Sequence, residues 1–188
     1  MSFISNTGSW HRNNLNGHVY DSGLCNAIAD YLKDSDAESV YDLGCGHGEY
    51  TRSLVDKGFY CSGYDGNPYT PNITSGLCEV LDLSEEHDLE VRDYVLCLEV
   101  GEHVPQQFES TLINNIHNSN SKGVVLSWAV EGQPGEGHVN CKNNDYVENI
   151  FLKLGYTQNK NAQEALREAS SLWWFKNTIM VFEKPQKL

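Results

Sequence analysis

A short apolar strand, Ser39–Leu43, runs directly into the turn Gly44-Cys45-Gly46-His47-Gly48, and the helix-forming stretch Glu49–Lys57 follows before Gly58 stops it. Glycines at alternate positions let the backbone turn sharply and pass close to a ligand, because no Cβ stands in the way. A strand, a tight glycine turn and a helix in that order form the first part of a strand–helix–strand unit, which requires a parallel partner strand. That partner is Phe59–Tyr64, closed by Asp65-Gly66-Asn67-Pro68, a turn by its chemistry.

The alternation continues to the end of the chain. Leu77–Leu81 and Asp93–Leu98 read as strands, and Pro105 opens a helix that runs to about Asn118. Gly123–Trp128 is an almost unbroken apolar run, the pattern of a strand buried on both faces. Asp145–Leu154 carries Val147, Ile150, Phe151 and Leu154 at helical spacing and ends at Gly155. Gly23–Leu32 and Ala162–Ser171 read as further helices, and Asn177–Glu183 as the last strand. The pattern predicts an α/β fold, a parallel sheet with helices on both faces and ligands at the carboxyl ends of the strands. One domain is expected over residues 1–188, with 1–20 as a leader or cap and 21–188 as the core.

Charge and cysteine content restrict the partners. Thirteen Lys and Arg against 26 Asp and Glu give a net charge of −13, which repels phosphate backbones, so long nucleic acid is not expected to bind. A local pocket for a nucleotide or an RNA end remains compatible with that charge. No run approaches the length of about 18 apolar residues that spans a membrane, and the N-terminal residues show no apolar core of signal-peptide length. The six cysteines form no C-x-x-C pair, and four lie in or beside apolar strand-like runs. Buried, reduced thiols in a cytoplasmic protein are the expectation, as a monomer or homodimer.

Three acidic residues qualify the glycine turn. Asp42 stands just before it, Asp65 ends the second strand where a carboxylate can hold both ribose hydroxyls, and Asp82 follows the third strand in Leu81-Asp82-Leu83-Ser84. Position 49 is Glu, where a dinucleotide fingerprint has its third glycine. Asp42 and Glu49 would repel a pyrophosphate but suit a ligand with an ammonium and a sulfonium. At these residues the chain resembles the class I S-adenosylmethionine-dependent methyltransferases, over about Val40 to Glu183. The resemblance implies a Rossmann-like fold with a seven-stranded, mostly parallel sheet. It also implies that Asp42, Gly44, Cys45 and Gly46 border the methionine part, Asp65 and Gly66 the ribose, and Asp82 and Leu83 the adenine, with Glu99 beside the cofactor.

After the fourth strand comes Glu99-Val100-Gly101-Glu102-His103-Val104-Pro105. On one helical turn, positions 99, 102 and 103 would point the same way, and His138 of Gly137-His138-Val139-Asn140 follows the neighbouring fifth strand. Two carboxylates and two imidazoles suit a catalytic Mg²⁺, Mn²⁺ or Zn²⁺. The segment resembles the metal site of the small-RNA 3′-terminal 2′-O-methyltransferases and the E-x-x-E-H segment of the ubiquinone-pathway O-methyltransferases. It matches residue for residue at Glu99, Glu102 and His103, and at His138 by role. The alternative has Glu99 capping a helix or touching the cofactor, with His103 or His138 as a lone general base.

Two further stretches carry substrate-side candidates. Trp10–Tyr20 is rich in aromatic and amide residues and reads as a cap over the pocket. Ser127–His138 is a long glycine-containing connection, and such loops usually carry function. Trp128, Tyr69, Trp173 and Trp174 are candidates for stacking on a ring, and Arg12 or Arg167 for meeting a substrate anion. Together these readings predict an O-methyltransferase acting on a hydroxyl of a small molecule such as a sugar or glycan unit. The alternatives are a 2′-O-methyltransferase of an RNA 3′ end and an inactive cofactor-binding partner subunit.

Overall fold

A computed structural model describes residues 3–13 and 18–185; the part of the expected cap at residues 14–17 lies outside the described residues. The strands are β1 (Ser39–Leu43), β2 (Tyr60–Asp65), β3 (Glu79–Val80), β4 (Arg92–Leu98), β5 (Asn120–Ser127), β6 (Thr157–Gln158) and β7 (Met180–Glu183). They form one sheet in the order β3-β2-β1-β4-β5-β7-β6, parallel except that β7 runs antiparallel to both β5 and β6. The helices are α1 (Ser22–Asp34), α2 (Glu49–Asp56), α3 (Thr70–Ile73), α4 (Glu109–Asn118), α5 (Asn144–Lys153), α6 (Lys160–Ala169) and α7 (Trp173–Thr178).

Side chains of the central strands alternate between two cores, as the two-residue period of a strand requires. Val40, Tyr94, Leu96 and Val125 join Leu24, Ile28 and Leu32 of α1 and Leu166 of α6 on one face. Tyr41, Val95, Cys97, Val124 and Leu126 join Leu112 and Ile116 of α4 and Phe151 of α5 on the other. This double burial explains why β4 and β5 read as apolar runs in the sequence. All six cysteines are free thiols, five of them buried and Cys141 half-buried. Among the described residues no helix is long and apolar enough to cross a membrane.

The chain departs from the expectations at its sheet edges and near its end. The third strand shrinks to Glu79–Val80, both exposed, because it is an edge strand with only two paired positions. Thr157–Gln158 forms an unexpected edge strand against β7. The last strand starts at Met180, because Trp173–Thr178 is helical. The aromatic run there has strand-like composition, but the buried Asp21 carboxylate directs it otherwise. Asp21 Oδ2 accepts from the N–H of Ser171 (2.7 Å) and Leu172 (3.2 Å) and from Ser170 Oγ (2.7 Å), just ahead of α7. Its Oδ1 accepts from Leu24 N–H (3.0 Å) as the N-cap of α1. Asp21→Ala is therefore expected to lower stability by about 2 kcal/mol, combining a lost cap with stranded donors, and chemical denaturation measures it.

Candidate active site

The strand order reverses between β1 and β4, where β2 lies to one side of the pair and β5 to the other. Ligands of open α/β sheets bind at that point, outside the carboxyl ends of the strands. A cavity of about 560 Å³ opens there, lined by Asp42, Gly46, Glu49, Glu99, His103 and His138 among others. A smaller hollow of about 80 Å³ adjoins it, lined by Asp65, Gly66, Asp82 and Leu83. Gly44, Glu99 and His103 line both.

The glycine turn is held by its geometry. Gly44 has φ +83°, and a Cβ there would overlap Val100. Gly46 donates its N–H to Asp65 Oδ2 (2.9 Å), and Asn67 N–H donates to Asp65 Oδ1 (2.9 Å), so both oxygens are fixed while each keeps a free lone pair. The N–H groups of Gly44 and Cys45 bond to Tyr64 O, which ties the turn to the end of β2. Asp82 is oriented by Ser84 N–H (2.9 Å), and its Oδ2 accepts from Thr7 Oγ1 (2.9 Å).

Asp42 is buried and accepts from Thr51 Oγ1 (2.7 Å). Burial, with a smaller contribution from the Asp65 charge, pushes its pKa from 3.8 up to about 6. An acid raised in the folded state favours folding while protonated and loses that advantage as the unfolded chain ionises first. The protein without cofactor should therefore lose on the order of 3 kcal/mol from this group as pH rises from about 4 through about 6. Thermal melts of the wild type and Asp42→Asn should converge at low pH and separate through that window; parallel curves would contradict the assignment.

The N-terminal strap crosses over this pocket. Thr7 reaches Asp82, Arg12 O accepts from Asn67 Nδ2 (2.8 Å), and Trp10 packs edge-on against His103. Arg12 lies over the Trp10 ring and pairs with Glu136 at 3.0 Å, joining strap to loop. Its guanidinium is thus occupied within the protein, and Arg167 is likewise used internally, donating Nε to Ile179 O (2.9 Å). Trp128 is buried and donates Nε1 to Asn140 O (2.7 Å), so it is core and not a stacking surface. Tyr69 lies outside both cavities, whereas Trp173, 52% exposed, and Trp174 line the larger one.

Glu102, His103 and His138 come together with donor atoms within 4.8 Å of one another. Their convergence does not use a helical turn, because residues 99–104 form a bend and a turn after β4. The loop instead docks through Val139 and Asn140, whose N–H groups donate to Glu102 O (2.8 and 2.9 Å), and this delivers His138. Glu99 is not in the group. Its φ is +53°, and its carboxylate is held by Gln133 Nε2 (2.7 Å) and Thr178 Oγ1 (3.3 Å). It still lies near enough for its charge to act on Glu102.

Glu102 is fully buried; the N–H groups of Glu102 itself and Ala129 lie near its carboxylate, but neither oxygen has a hydrogen bond of good geometry among the described residues. His138 Nε2 is 4.0 Å from Oε1, beyond hydrogen-bond reach. Burial and the Glu99 charge hold the Glu102 pKa well above the usual carboxylate range. Burial, helped by the charges of His138 and His18, pushes His103 down to about 4, so its ring is neutral at pH 7. Its Nδ1 is also buried without a partner. A buried carboxylate needs a counter-charge or a proton. The donor set offers what a divalent cation takes, so these residues fit one. Sequence spacing did not single out Gln133, Thr178 or Thr7; the only pointer to Gln133 was its place in the long glycine-containing connection Ser127–His138.

The fold and site together define a class I S-adenosylmethionine-dependent methyltransferase. A sequence profile described as "Methyltransferase domain" matches residues 17–130, and the chain belongs to that family. No curated protein matches it. Solved structures share its fold at low identity. The magnesium protoporphyrin IX methyltransferase ChlM from Synechocystis PCC 6803, with bound SAH, is 16% identical, with a TM-score of 0.65 over 86% of this chain and 82% of that one. The methyltransferase domain of a bacterial Hen1, CtHen1-C, is 16% identical, with a TM-score of 0.61 over 86% and 97%. The 1,6-didemethyltoxoflavin-N1-methyltransferase from Burkholderia thailandensis is 14% identical, with a TM-score of 0.60 over 88% and 79%.

Proposed function

We propose that the chain moves the methyl group of S-adenosylmethionine onto a hydroxyl of a small neutral molecule, a sugar or glycan unit, with the help of a divalent cation. The observation that carries the cation is Glu102, a buried carboxylate with no partner beside His103 and His138. These three residues would hold Mg²⁺, Mn²⁺ or Zn²⁺, and Glu99, outside the trio but near enough for its charge to act on Glu102, would add negative charge to the site. When bound, such an ion lowers the pKa of a coordinated hydroxyl by several units, which a neutral alcohol needs before it attacks a sulfonium methyl. Asp65 holds the ribose, Asp42 faces the cationic methionine part, and Asp82 accepts from the adenine after Thr7 gives way. The strap over residues 3–13 acts as the cap of the cofactor.

Glu49, Glu99 and Glu136 line the larger cavity, which disfavours a phosphorylated acceptor, and Trp173 and Trp174 offer ring faces to a sugar. His103, neutral and lining the larger cavity, is the group placed to take the hydroxyl proton if no cation acts. Six free thiols suit a cytoplasmic setting. Labelled methyl transfer from S-adenosylmethionine, assayed across neutral glycosides, catechols, amines and short RNAs, tests the reading. Labelled neutral glycosides support it, and labelling of RNA 3′ ends alone, or of amines alone, overturns the acceptor class.

A further inference from the structure

Gln133 lies in the loop after β5, and its contacts give it more than a loop residue's role. Its Nε2 donates to Glu99 Oε2 at 2.7 Å. Its carbonyl accepts from His138 Nδ1 at 3.1 Å, which requires a proton on Nδ1 and turns Nε2 toward Glu102, 4.0 Å from Oε1. Its own N–H donates to Val130 O (2.9 Å) and fixes the turn. Its Oε1 is buried without a partner, so the bond to Glu99 alone sets the direction of the amide. Glu99 in turn carries a left-handed φ of +53°, which a non-glycine residue adopts only when its surroundings hold it there.

We propose that Gln133 is a positioning residue of the cation site, orienting Glu99 through its side-chain amide and His138 through its main-chain carbonyl. The proposal rests on the cation reading given above. Imidazole ligands commonly donate their second N–H to a carbonyl, and bound carboxylates are themselves hydrogen-bonded; losing such a partner lowers metal affinity about 10–100-fold. A side-chain substitution removes only the Glu99 arm and leaves the His138 arm in place, so the lower end of that range is expected.

Mn²⁺ binding to the full chain, without cofactor or acceptor, is followed by the electron paramagnetic resonance of free Mn²⁺. Gln133→Ala should weaken binding about tenfold, and Thr178→Val, which removes the longer bond to Glu99, should weaken it less. Glu131→Gln, on the same loop, should leave it within about twofold. Melting temperature and S-adenosylmethionine affinity should stay near wild type, which a merely structural role for Gln133 would not allow. If Gln133→Ala fails to fold, Gln133→Asn, too short to keep the bond, decides by the same readout. Equal Mn²⁺ affinity in a folded Gln133 variant overturns the proposal and leaves the cation reading standing. A wild-type chain that binds S-adenosylmethionine but not Mn²⁺ overturns both.

Discussion

Glu102→Gln should reduce methyl transfer at least about a hundredfold while leaving the metal-free protein as stable as wild type or more so. The two halves have one cause. Glu102 is a fully buried acid without a hydrogen-bond partner, so its ionised form is costly in the metal-free fold. Its pKa is raised in the folded state, so its contribution favours folding at low pH and is lost as pH rises from the ordinary carboxylate range toward the higher folded value. An amide of the same shape abolishes that loss and also abolishes the charge that attracts a cation. Melting curves between pH 4 and 8 without metal, beside turnover with Mn²⁺, give both numbers. A variant that is less stable at every pH by the same amount would show instead that Glu102 is structural.

Asp65→Ala should weaken S-adenosylmethionine binding by about 1.5–3 kcal/mol, roughly 10–100-fold. Asp65 is oriented at both oxygens, by Gly46 N–H and Asn67 N–H, before any ligand arrives. A charged acceptor held in this way loses little freedom on binding. Its removal also frees the N–H of Gly46, so the glycine turn loses one of its ties to the end of β2 and keeps those of Gly44 and Cys45 to Tyr64 O. Calorimetric titration with S-adenosylmethionine measures the change, and unchanged affinity would place the ribose elsewhere.

Most of the fold was legible because it rests on local chemistry. Ser39–Leu43 and the glycines after it matched β1 and its turn to the residue, and double burial made β4 and β5 continuous apolar runs. The edges were less legible. β3 and β6 have two residues each, and nothing in so short a segment outweighs its exposure. Helix α7 was hidden because the residue that directs its start, Asp21, lies far away in sequence. The candidate site divides in the same manner. Asp42, Asp65 and Asp82 stand at strand ends, where the fold fixes their position. Glu102, His103 and His138 also meet as expected, but by a loop docking on the Glu102 carbonyl, which no spacing announces. Glu99 shows the consequence: helical spacing grouped it with the trio, whereas its backbone turns left-handed and its carboxylate goes to Gln133 and Thr178.

The cation is the claim on which the proposed chemistry turns, and turnover in excess EDTA tests it most directly once an acceptor is in hand. Asp42, Asp65 and Asp82, proposed to hold the cofactor, are not among the proposed cation ligands Glu102, His103 and His138, so chelation should leave S-adenosylmethionine binding nearly intact while methyl transfer stops. Adding Mn²⁺ or Mg²⁺ beyond the chelator should restore the rate, and the losses from replacing Glu102, His103 or His138 singly should not add, because each removes the same ion. Full turnover in EDTA, with only His103→Ala impaired, would contradict the account and leave a plain general-base mechanism in its place.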